Sequence, residues 1–128
     1  MGHGLSVAAA GAIEPNPRGE REYPWGDEFD VNRLNRSESA MRWTSWVGAF
    51  LGGRRPCGAM EMGGNVWEWT RSTRSRGGDL SASIEEPRVV RGGSWYSDRD
   101  HVRCAGRYRD LPNVRDRSSV FRVVVCPF

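Results

Sequence analysis

The sequence predicts an irregular, turn-rich fold in which short strands and large aromatic side chains form the core. Its 128 residues include 16 Gly, 7 Pro and 6 Trp, whereas apolar residues at helical spacing are scarce. Residues 63–69 (GGNVWEW) alternate, so a strand there places Trp67 and Trp69 on one face and Glu68 on the other. Aromatic side chains spaced by two residues usually pack together, which predicts that both indoles belong to the core.

The first half of the chain is expected to be mostly loop. Residues 11–30 form a loop in this interpretation because their prolines interrupt helical structure. Tyr23 and Trp25 are the expected anchors of that loop on the core. Trp43 and Trp46 have the i, i+3 spacing of a helix, within otherwise irregular polar chain.

Short extended segments supply the rest of the expected sheet. Residues 47–50 (VGAF) favour a short extended piece, and residues 88–91 (RVVR) re-enter the sheet after a surface hairpin loop at 71–87. The final strand is expected at 119–126, an apolar run interrupted once by Arg122.

Length and composition indicate a single domain spanning residues 1–128 with a modest core. No apolar run is long enough to cross a membrane, so no membrane insertion is expected. The net charge of +3 is mild, and all 19 basic residues are Arg. Acidic residues interleave with the Arg residues after position 95, which argues against a nucleic-acid partner because nucleic-acid binding requires a basic stripe.

The three cysteines, Cys57, Cys104 and Cys126, are an odd number without metal-ligand spacing. They indicate no disulfide framework, although a pair among them stays open, and reduced thiols in the cytoplasm are expected. The opening residues lack the basic and apolar regions of a good secretion signal. If the chain is part of a longer protein, surface display is the alternative location.

Five motifs follow one another in the order Glu22–Glu28 (EYPWGDE), Gly63–Trp69 (GGNVWEW), Arg91–Trp95 (RGGSW), Arg103–Arg107 (RCAGR) and Phe121–Val123 (FRV). This order resembles the formylglycine-generating-enzyme (sulfatase-modifying factor) domain family over residues 20–126. The resemblance implies an α+β, C-type-lectin-like fold of the formylglycine-generating-enzyme type, irregular and rich in Gly and Trp. Only about 20 residues precede the Tyr-Pro-Trp-Gly motif, so the domain is expected to be N-terminally shortened.

The same resemblance implies a structural calcium ion. Its ligands are expected to be the carboxylates of Glu61 and Glu68 and the carbonyls of Gly64 and Val66, an oxygen set that suits a hard cation. Glu61 stands where the family more often has Asn or Asp, which alters the cage. The alternative interpretation is that Glu68 forms an ion pair with an Arg inside the sheet.

The oxidase branch of the family uses two closely spaced cysteines just after the Arg-Gly-Gly-Ser motif, where thiolates bind copper(I). Residues 95–102 (WYSDRDHV) contain no cysteine, and Cys104 occupies a structural position of the family. No copper and no catalytic residue are therefore expected, since His101 lacks an identifiable nucleophile or orienting partner. The alternative is a partial or degenerate oxidoreductase domain, similar to the formylglycine-generating enzymes or the sulfoxide synthases. A structural module of a larger assembly is a third hypothesis.

Residues 96–118 combine a constant framework with variable positions. The framework consists of Arg103, Cys104, Ala105, Arg107, Pro112 and Arg115. The variable positions are Tyr96, Ser97, Asp98, Asp100, His101, Gly106, Tyr108, Asp110, Leu111, Asn113, Val114, Asp116, Arg117 and Ser118. Each of their residue types is reached from an AAC or AAT codon by changing adenines alone. The pattern resembles the variable region of target-binding proteins diversified by diversity-generating retroelements, several of which have this lectin-like fold.

These positions predict a ligand-binding face. Tyr96 and Tyr108 supply large amphipathic contact area at low entropic cost, and the small polar residues adapt their hydrogen bonds, as in an antibody paratope. Trp95, Arg103, Arg107 and Arg122 are expected to support the face from beneath. The sequence thus predicts a non-catalytic target-recognition protein whose ligand is a protein. An irregular polar loop region without function is the plainer alternative, and homo-oligomerisation is left open.

Overall fold

The computed structural model describes residues 21–73 and 85–123, which form a four-stranded mixed sheet. Its strands are β1 (Trp67–Thr73), β2 (Arg88–Arg91), β3 (Tyr108–Asp110) and β4 (Ser119–Val120), in the spatial order β3-β2-β1-β4. Strand β2 is antiparallel to both β1 and β3, whereas β4 runs parallel to β1. Helical structure in the described ranges is limited to short 3₁₀ turns at Val31–Arg33, Ser37–Ser39 and Leu51–Gly53. The expected α+β class is confirmed.

The sheet register places the predicted tryptophans on one face. Val90 of β2 pairs with Trp69 on one side and with Tyr108 on the other. Side chains of directly paired residues share a face, so Trp69, Val90 and Tyr108 point the same way, together with Trp67 two residues before Trp69. Trp67 is 6% exposed and Trp69 is partly buried. Glu68, on the other face, is buried as well, so both faces of β1 are covered.

A small aromatic cluster anchors the loop that precedes the sheet. Buried Tyr23, Leu34 and Val102 pack together, and Trp25 and Phe29 lie against them. The Tyr23 ring stacks on Trp25 at 5.6 Å between centroids and meets Phe29 edge-on at 5.4 Å. The expectation that Tyr23 and Trp25 hold this loop to the core is confirmed.

Two glycines of the recognised motifs allow backbone segments to approach closely. Gly64 has φ +74, and a Cβ atom there would lie 2.4 Å from the carbonyl oxygen of Asn35. Gly93 has φ +73, and its Cβ would lie 2.7 Å from the Val102 side chain. Any other residue at either position is both strained and too large.

The stretch around Trp43 and Trp46 is irregular, as expected despite the helical spacing of the two residues, and it is hydrogen-bonded by the side chain of Asn65. Its Oδ1 accepts from the backbone N–H of Ser45 at 2.8 Å, and its Nδ2 donates to the Ser45 carbonyl at 3.2 Å. Residues 43–46 are therefore non-helical. The predicted extended piece at 47–50 is instead a turn, in which the N–H of Ala49 donates to the carbonyl of Trp46 at 3.2 Å.

The last strand is shorter than expected, since β4 ends at Val120 and residues 121–123 continue without strand pairing. Residues 124–126 of that prediction lie outside the described residues, as do residues 74–84 of the predicted hairpin loop. The first residues of that loop, 71–73, instead belong to β1, whereas its end at residue 87 agrees with the start of antiparallel β2 at Arg88. Within residues 21–73 and 85–123, the structure contains no helix that could span a lipid bilayer.

Candidate functional site

A cleft with aromatic walls opens where the start of β1, the start of β3 and the segment after the Arg-Gly-Gly-Ser-Trp motif meet. It has a volume of about 270 Å³. Its lining residues are Trp67, Tyr96, Ser97, Asp98, His101 and Tyr108, and this set is called the aromatic cleft below.

Trp67 is the fixed wall against which two other rings of the aromatic cleft pack. Its ring lies 5.7 Å from His101 in an edge-to-face arrangement and 5.8 Å from Tyr108 at a 32° tilt. The backbone N–H of Trp67 donates to the carbonyl of Ser118 at 2.6 Å, which ties this wall to the chain entering β4. The sheet thus sets the spacing of the rings, because Trp67 and Tyr108 lie on strands that flank β2.

A hydrogen-bonded turn positions Tyr96. The N–H of Ser94 donates to Ser97 Oγ at 2.9 Å, and the N–H of Ser97 donates to the Ser94 carbonyl at 3.0 Å. The Tyr96 ring then packs edge-on against Trp95 at 5.1 Å, and its hydroxyl lies 3.1 Å from Ser118 Oγ. Tyr96 is therefore held at both ends of its side chain although it is 49% exposed.

A row of packed aromatic rings continues from Tyr96 across the surface. Trp95 stacks on Trp43 with 6.1 Å between centroids, and the Arg117 guanidinium lies 5.0 Å above the Trp43 ring. Trp43 is 53% exposed. These contacts connect Arg117 to Tyr96, two of the predicted variable positions, through aromatic rings outside the predicted set.

Asp98 and His101 form the polar part of the aromatic cleft. Asp98 Oδ1 lies 2.7 Å from His101 Nδ1 and accepts from the backbone N–H groups of Asp100 at 3.1 Å and His101 at 3.2 Å. The hydrogen bonds from the His101 side chain and backbone hold the pKa of Asp98 below its usual range. The Asp98 carboxylate is thus ionised at neutral pH, and its side chain is 63% exposed.

The fourteen predicted variable positions fall into three groups. The exposed ones are Tyr96, Asp98, Asp100, Tyr108, Leu111, Asn113, Val114, Asp116 and Arg117, and the half-buried ones are His101, Gly106 and Asp110. Ser97 and Ser118 are buried. Five of the fourteen, Tyr96, Ser97, Asp98, His101 and Tyr108, line the aromatic cleft, and the others do not.

Ser118 lies beneath the predicted face and not on it, because its surface is fully covered. Its N–H donates to Asp116 Oδ1 at 3.0 Å, its carbonyl accepts from Trp67, and its hydroxyl contacts Tyr96. Its role in the structure is therefore to support Tyr96. Conversely, Trp67 lines the aromatic cleft although its sequence pattern indicated only burial. Alternation along a strand does not say which other segments meet that face.

The expected supporting residues behave differently from one another. Arg122 donates from Nε to both carboxylate oxygens of Glu68, at 2.9 and 3.0 Å, and from a terminal nitrogen to the carbonyl of Glu61 at 3.0 Å. Arg103 pairs with Glu22, its Nε lying 2.5 Å from Oε1. Arg107, by contrast, is exposed.

Three of the four predicted calcium ligands, Glu61, Gly64 and Glu68, already accept hydrogen bonds. Both oxygens of Glu68 are held by Arg122, Glu61 Oε1 accepts from the N–H of Gly48 at 3.2 Å, and the carbonyl of Gly64 accepts from Val66 at 2.8 Å. Burial raises the pKa of Glu61 and of Glu68, and Arg122 offsets part of that effect. No cluster of three or more His, Cys, Asp or Glu suited to a metal occurs within residues 21–73 and 85–123. This arrangement fits the alternative ion pair of Glu68 with an Arg, and the structure does not test the calcium ion that the family resemblance implies.

Cys104 is buried, and its backbone carbonyl accepts a hydrogen bond. Burial raises the pKa of its thiol, with the nearby guanidinium groups of Arg55, Arg91 and Arg21 acting in the opposite direction. A terminal nitrogen of buried Arg91 donates to the Cys104 carbonyl. Cys57 is exposed, and both of these thiols are free, while Cys126 lies outside the described residues.

Comparison with known proteins gives matches over most of the chain. The model of the sulfatase-modifying factor enzyme 1-like domain matches residues 4–126. Hercynine oxygenase of Mycolicibacterium thermoresistibile is 36% identical over 116 residues, covering 79% of this chain and 26% of that protein. Inactive C-alpha-formylglycine-generating enzyme 2 of Bos taurus is 34% identical over 88 residues, covering 61% of this chain and 27% of that protein. The chain thus spans about a quarter of the length of these curated relatives.

A solved structure is similar as well. Treponema denticola variable protein 1 superposes with a TM-score of 0.57 at 25% identity, covering 70% of this chain and 34% of that chain.

Proposed function

Because the chain belongs to the sulfatase-modifying factor enzyme 1-like domain family, we propose that it uses this scaffold to bind a ligand without catalysis. The family match and the similarity to a variable protein confirm the recognised C-type-lectin-like fold and the resemblance to variable proteins of diversity-generating retroelements. The observation that carries the proposal is the convergence of Tyr96, Asp98, His101 and Tyr108 around one cleft. Segments separated along the chain thereby present a single set of side chains.

The two tyrosines have the properties of recognition residues. Tyr96 and Tyr108 are about half exposed, and each is packed on a tryptophan that is less exposed than itself. A rigid aromatic side chain with two torsions contributes contact area at little cost in conformational entropy. Their support comes from the sheet and from the turn at Ser94 and Ser97.

The proposed ligand is a protein. Exposed Leu111 and Val114 and the surrounding Asp, Asn and Arg residues give the mixed polar and apolar character of a protein-binding surface. The alternation of acidic and basic groups disfavours a polyanionic nucleic acid. We also propose a cytoplasmic location, which cell fractionation tests. Light scattering of the purified protein determines its oligomeric state.

The gene itself tests the proposed diversification. Mutation of adenines alone leaves the third base of an AAC or AAT codon unchanged, so the fourteen variable positions should have C or T there. A near-repeat rich in Asn codons and a reverse transcriptase gene should lie close by. Purine third bases at most of these positions, or the absence of both neighbours, contradict the proposal.

The similarity to hercynine oxygenase favours one rival, in which the chain is part of an oxidoreductase domain. The residues against it are the buried Cys104 thiol and the cysteine-free segment 95–102. Titration with copper(I), followed by an assay for oxidation of a Cys-containing peptide, separates the two functions. Stoichiometric copper binding with peptide oxidation establishes the oxidoreductase and overturns non-catalytic binding.

A further inference from the structure

We infer that the aromatic cleft receives a cationic side chain of the partner, namely the guanidinium group of an arginine. This inference rests on the proposed function and specifies the chemistry of the same site. The cleft volume of about 270 Å³ lies just below the range of roughly 300–1,000 Å³ that holds drug-sized ligands. It therefore suits one side chain and not a large molecule.

The walls of the cleft attract a cation. Trp67, Tyr96 and Tyr108 contribute rings, and the face of such a ring carries partial negative charge that attracts Lys and Arg groups. Trp67, the strongest such group, is held in place by its contacts with His101 and Tyr108. The same chemistry already operates nearby, where the Arg117 guanidinium lies over the Trp43 ring.

Asp98 supplies the negative charge of the cleft. Its Oδ1 atom is used by His101 and by two backbone N–H groups, whereas Oδ2 has no hydrogen-bond donor among the described residues. Arg36, which interacts electrostatically with Asp98, is itself paired with Glu38 and buried over the Phe29 ring. Asp98, whose side chain is 63% exposed, thus lines the cleft with free acceptor capacity.

Other classes of side chain fit this cleft less well. An anionic group would meet the like charge of Asp98, and an apolar group would desolvate that carboxylate without a partner for it. A guanidinium stacks on aromatic faces and at the same time donates several hydrogen bonds in a planar fork. Arginine therefore matches both halves of the cleft better than the compact, strongly hydrated ammonium group of lysine.

The test is an NMR titration of the folded protein with N-acetyl-arginine N-methylamide and with the citrulline analogue, which has nearly the same shape but no charge. We expect saturable shifts of the Trp67 indole N–H and the Tyr108 ring with the arginine probe, and at least tenfold weaker binding of the citrulline probe. Asp98→Asn should weaken binding of the arginine probe at least tenfold. Asn retains a carbonyl oxygen for the backbone contacts of Oδ1, and a melting curve verifies the fold.

Asp27→Asn is the matched control, since it removes the same charge from an exposed Asp outside the cleft and outside the variable positions, whose Oδ1 likewise accepts from a backbone N–H. It should leave binding of the arginine probe within about twofold. Equal binding of both probes, equal effects of the two variants, or no shift at the cleft overturns the inference. A titration with N-acetyl-tyrosine N-methylamide separates two failures. If only this neutral probe shifts the cleft resonances, the face binds ligands but the cleft does not select a cation. The proposed diversification is tested independently, by the codons of the gene.

Discussion

Arg122 donates from Nε to both carboxylate oxygens of Glu68, at 2.9 and 3.0 Å, and from a terminal nitrogen to Oε1, and so joins the segment after β4 to β1. Glu68 is 4% exposed and has paired neighbours on both sides, Arg91 in β2 and Val120 in β4. A buried carboxylate is stable there only while a cation and hydrogen bonds compensate the loss of water. The pair lies on the sheet face opposite Trp67, so it supports the scaffold without contributing to the aromatic cleft.

Removing Arg122 should destabilise the domain strongly. Arg122→Ala leaves the carboxylate of Glu68 buried without its cation, for which we expect a loss of about 3–5 kcal/mol in the free energy of unfolding. Urea denaturation measures it. The control is Arg33→Ala, whose ion pair with Asp30 is about 40% exposed on both sides and should contribute no more than about 1 kcal/mol. Similar losses in the free energy of unfolding of the two variants would show that the buried pair of Glu68 and Arg122 contributes no more than an exposed ion pair.

Calcium should leave the wild-type protein unchanged. A ligand that binds the native state raises stability in proportion to the logarithm of its concentration, but Arg122 already holds both oxygens of Glu68. Differential scanning fluorimetry with EDTA and with millimolar calcium should therefore give the same melting temperature. A rise with calcium and a fall with EDTA would instead establish the cage of Glu61, Gly64, Val66 and Glu68.

Glu61 should make stability depend on pH. Burial raises the pKa of its carboxyl above the ordinary 4.5, and its Oε2 atom is buried without a hydrogen-bond partner. The folded state therefore holds this proton more tightly than the unfolded state. Its contribution to stability is fully present below the unfolded pKa and is lost as the pH rises through the raised folded pKa.

The variant Glu61→Gln isolates this effect, because Gln keeps the acceptor for Gly48 and has no charge. We expect it to be more stable than the wild type at pH 7, with the difference vanishing as the pH falls below 4.5. Denaturant melts at several pH values measure the difference. A variant that is less stable at pH 7 would show that attraction to Arg122 outweighs the burial of the carboxylate.

The tyrosines of the aromatic cleft should be dispensable for folding. Tyr96 and Tyr108 are 49% and 54% exposed, so replacing either by Ala should shift the melting temperature by no more than about 5 °C. Trp67→Ala, which truncates a 6% exposed ring, should cost about 3–5 kcal/mol. Circular dichroism melts compare the three variants. Unfolding of both tyrosine variants at ambient temperature would assign these rings to the core and remove them from the proposed face.

Much of the fold was predictable from local pattern and from motif order. The alternation around Glu68 placed Trp67 and Trp69 on one face, and the register of Val90 with Trp69 and Tyr108 agrees with it. Tyr23 was predictable as an anchor because the following proline holds it extended beside an aromatic neighbour. These signals are short-range, and each needs only a few consecutive residues.

Spacing alone did not decide the conformation around Trp43 and Trp46. The two residues have helical spacing, but the stretch is irregular, and Asn65, twenty residues away from Ser45, takes both backbone hydrogen bonds of that residue. Competition of an amide side chain for backbone groups is not encoded in the local pattern. The candidate site shows the same limit, since the residue pattern after position 95 could not separate exposed Tyr96 from buried Ser118.

The sequence by itself determined the family, a fold of short strands with little helix and the shared face of the two tryptophans, and it proposed the residues of the binding face. Only the tertiary structure decided that Trp67 walls a cleft with Tyr96 and Tyr108, and that Glu68 takes Arg122 as its partner from 54 residues away. The physical reason is that periodicity encodes whether a side chain is buried, whereas its partner depends on how distant segments cross.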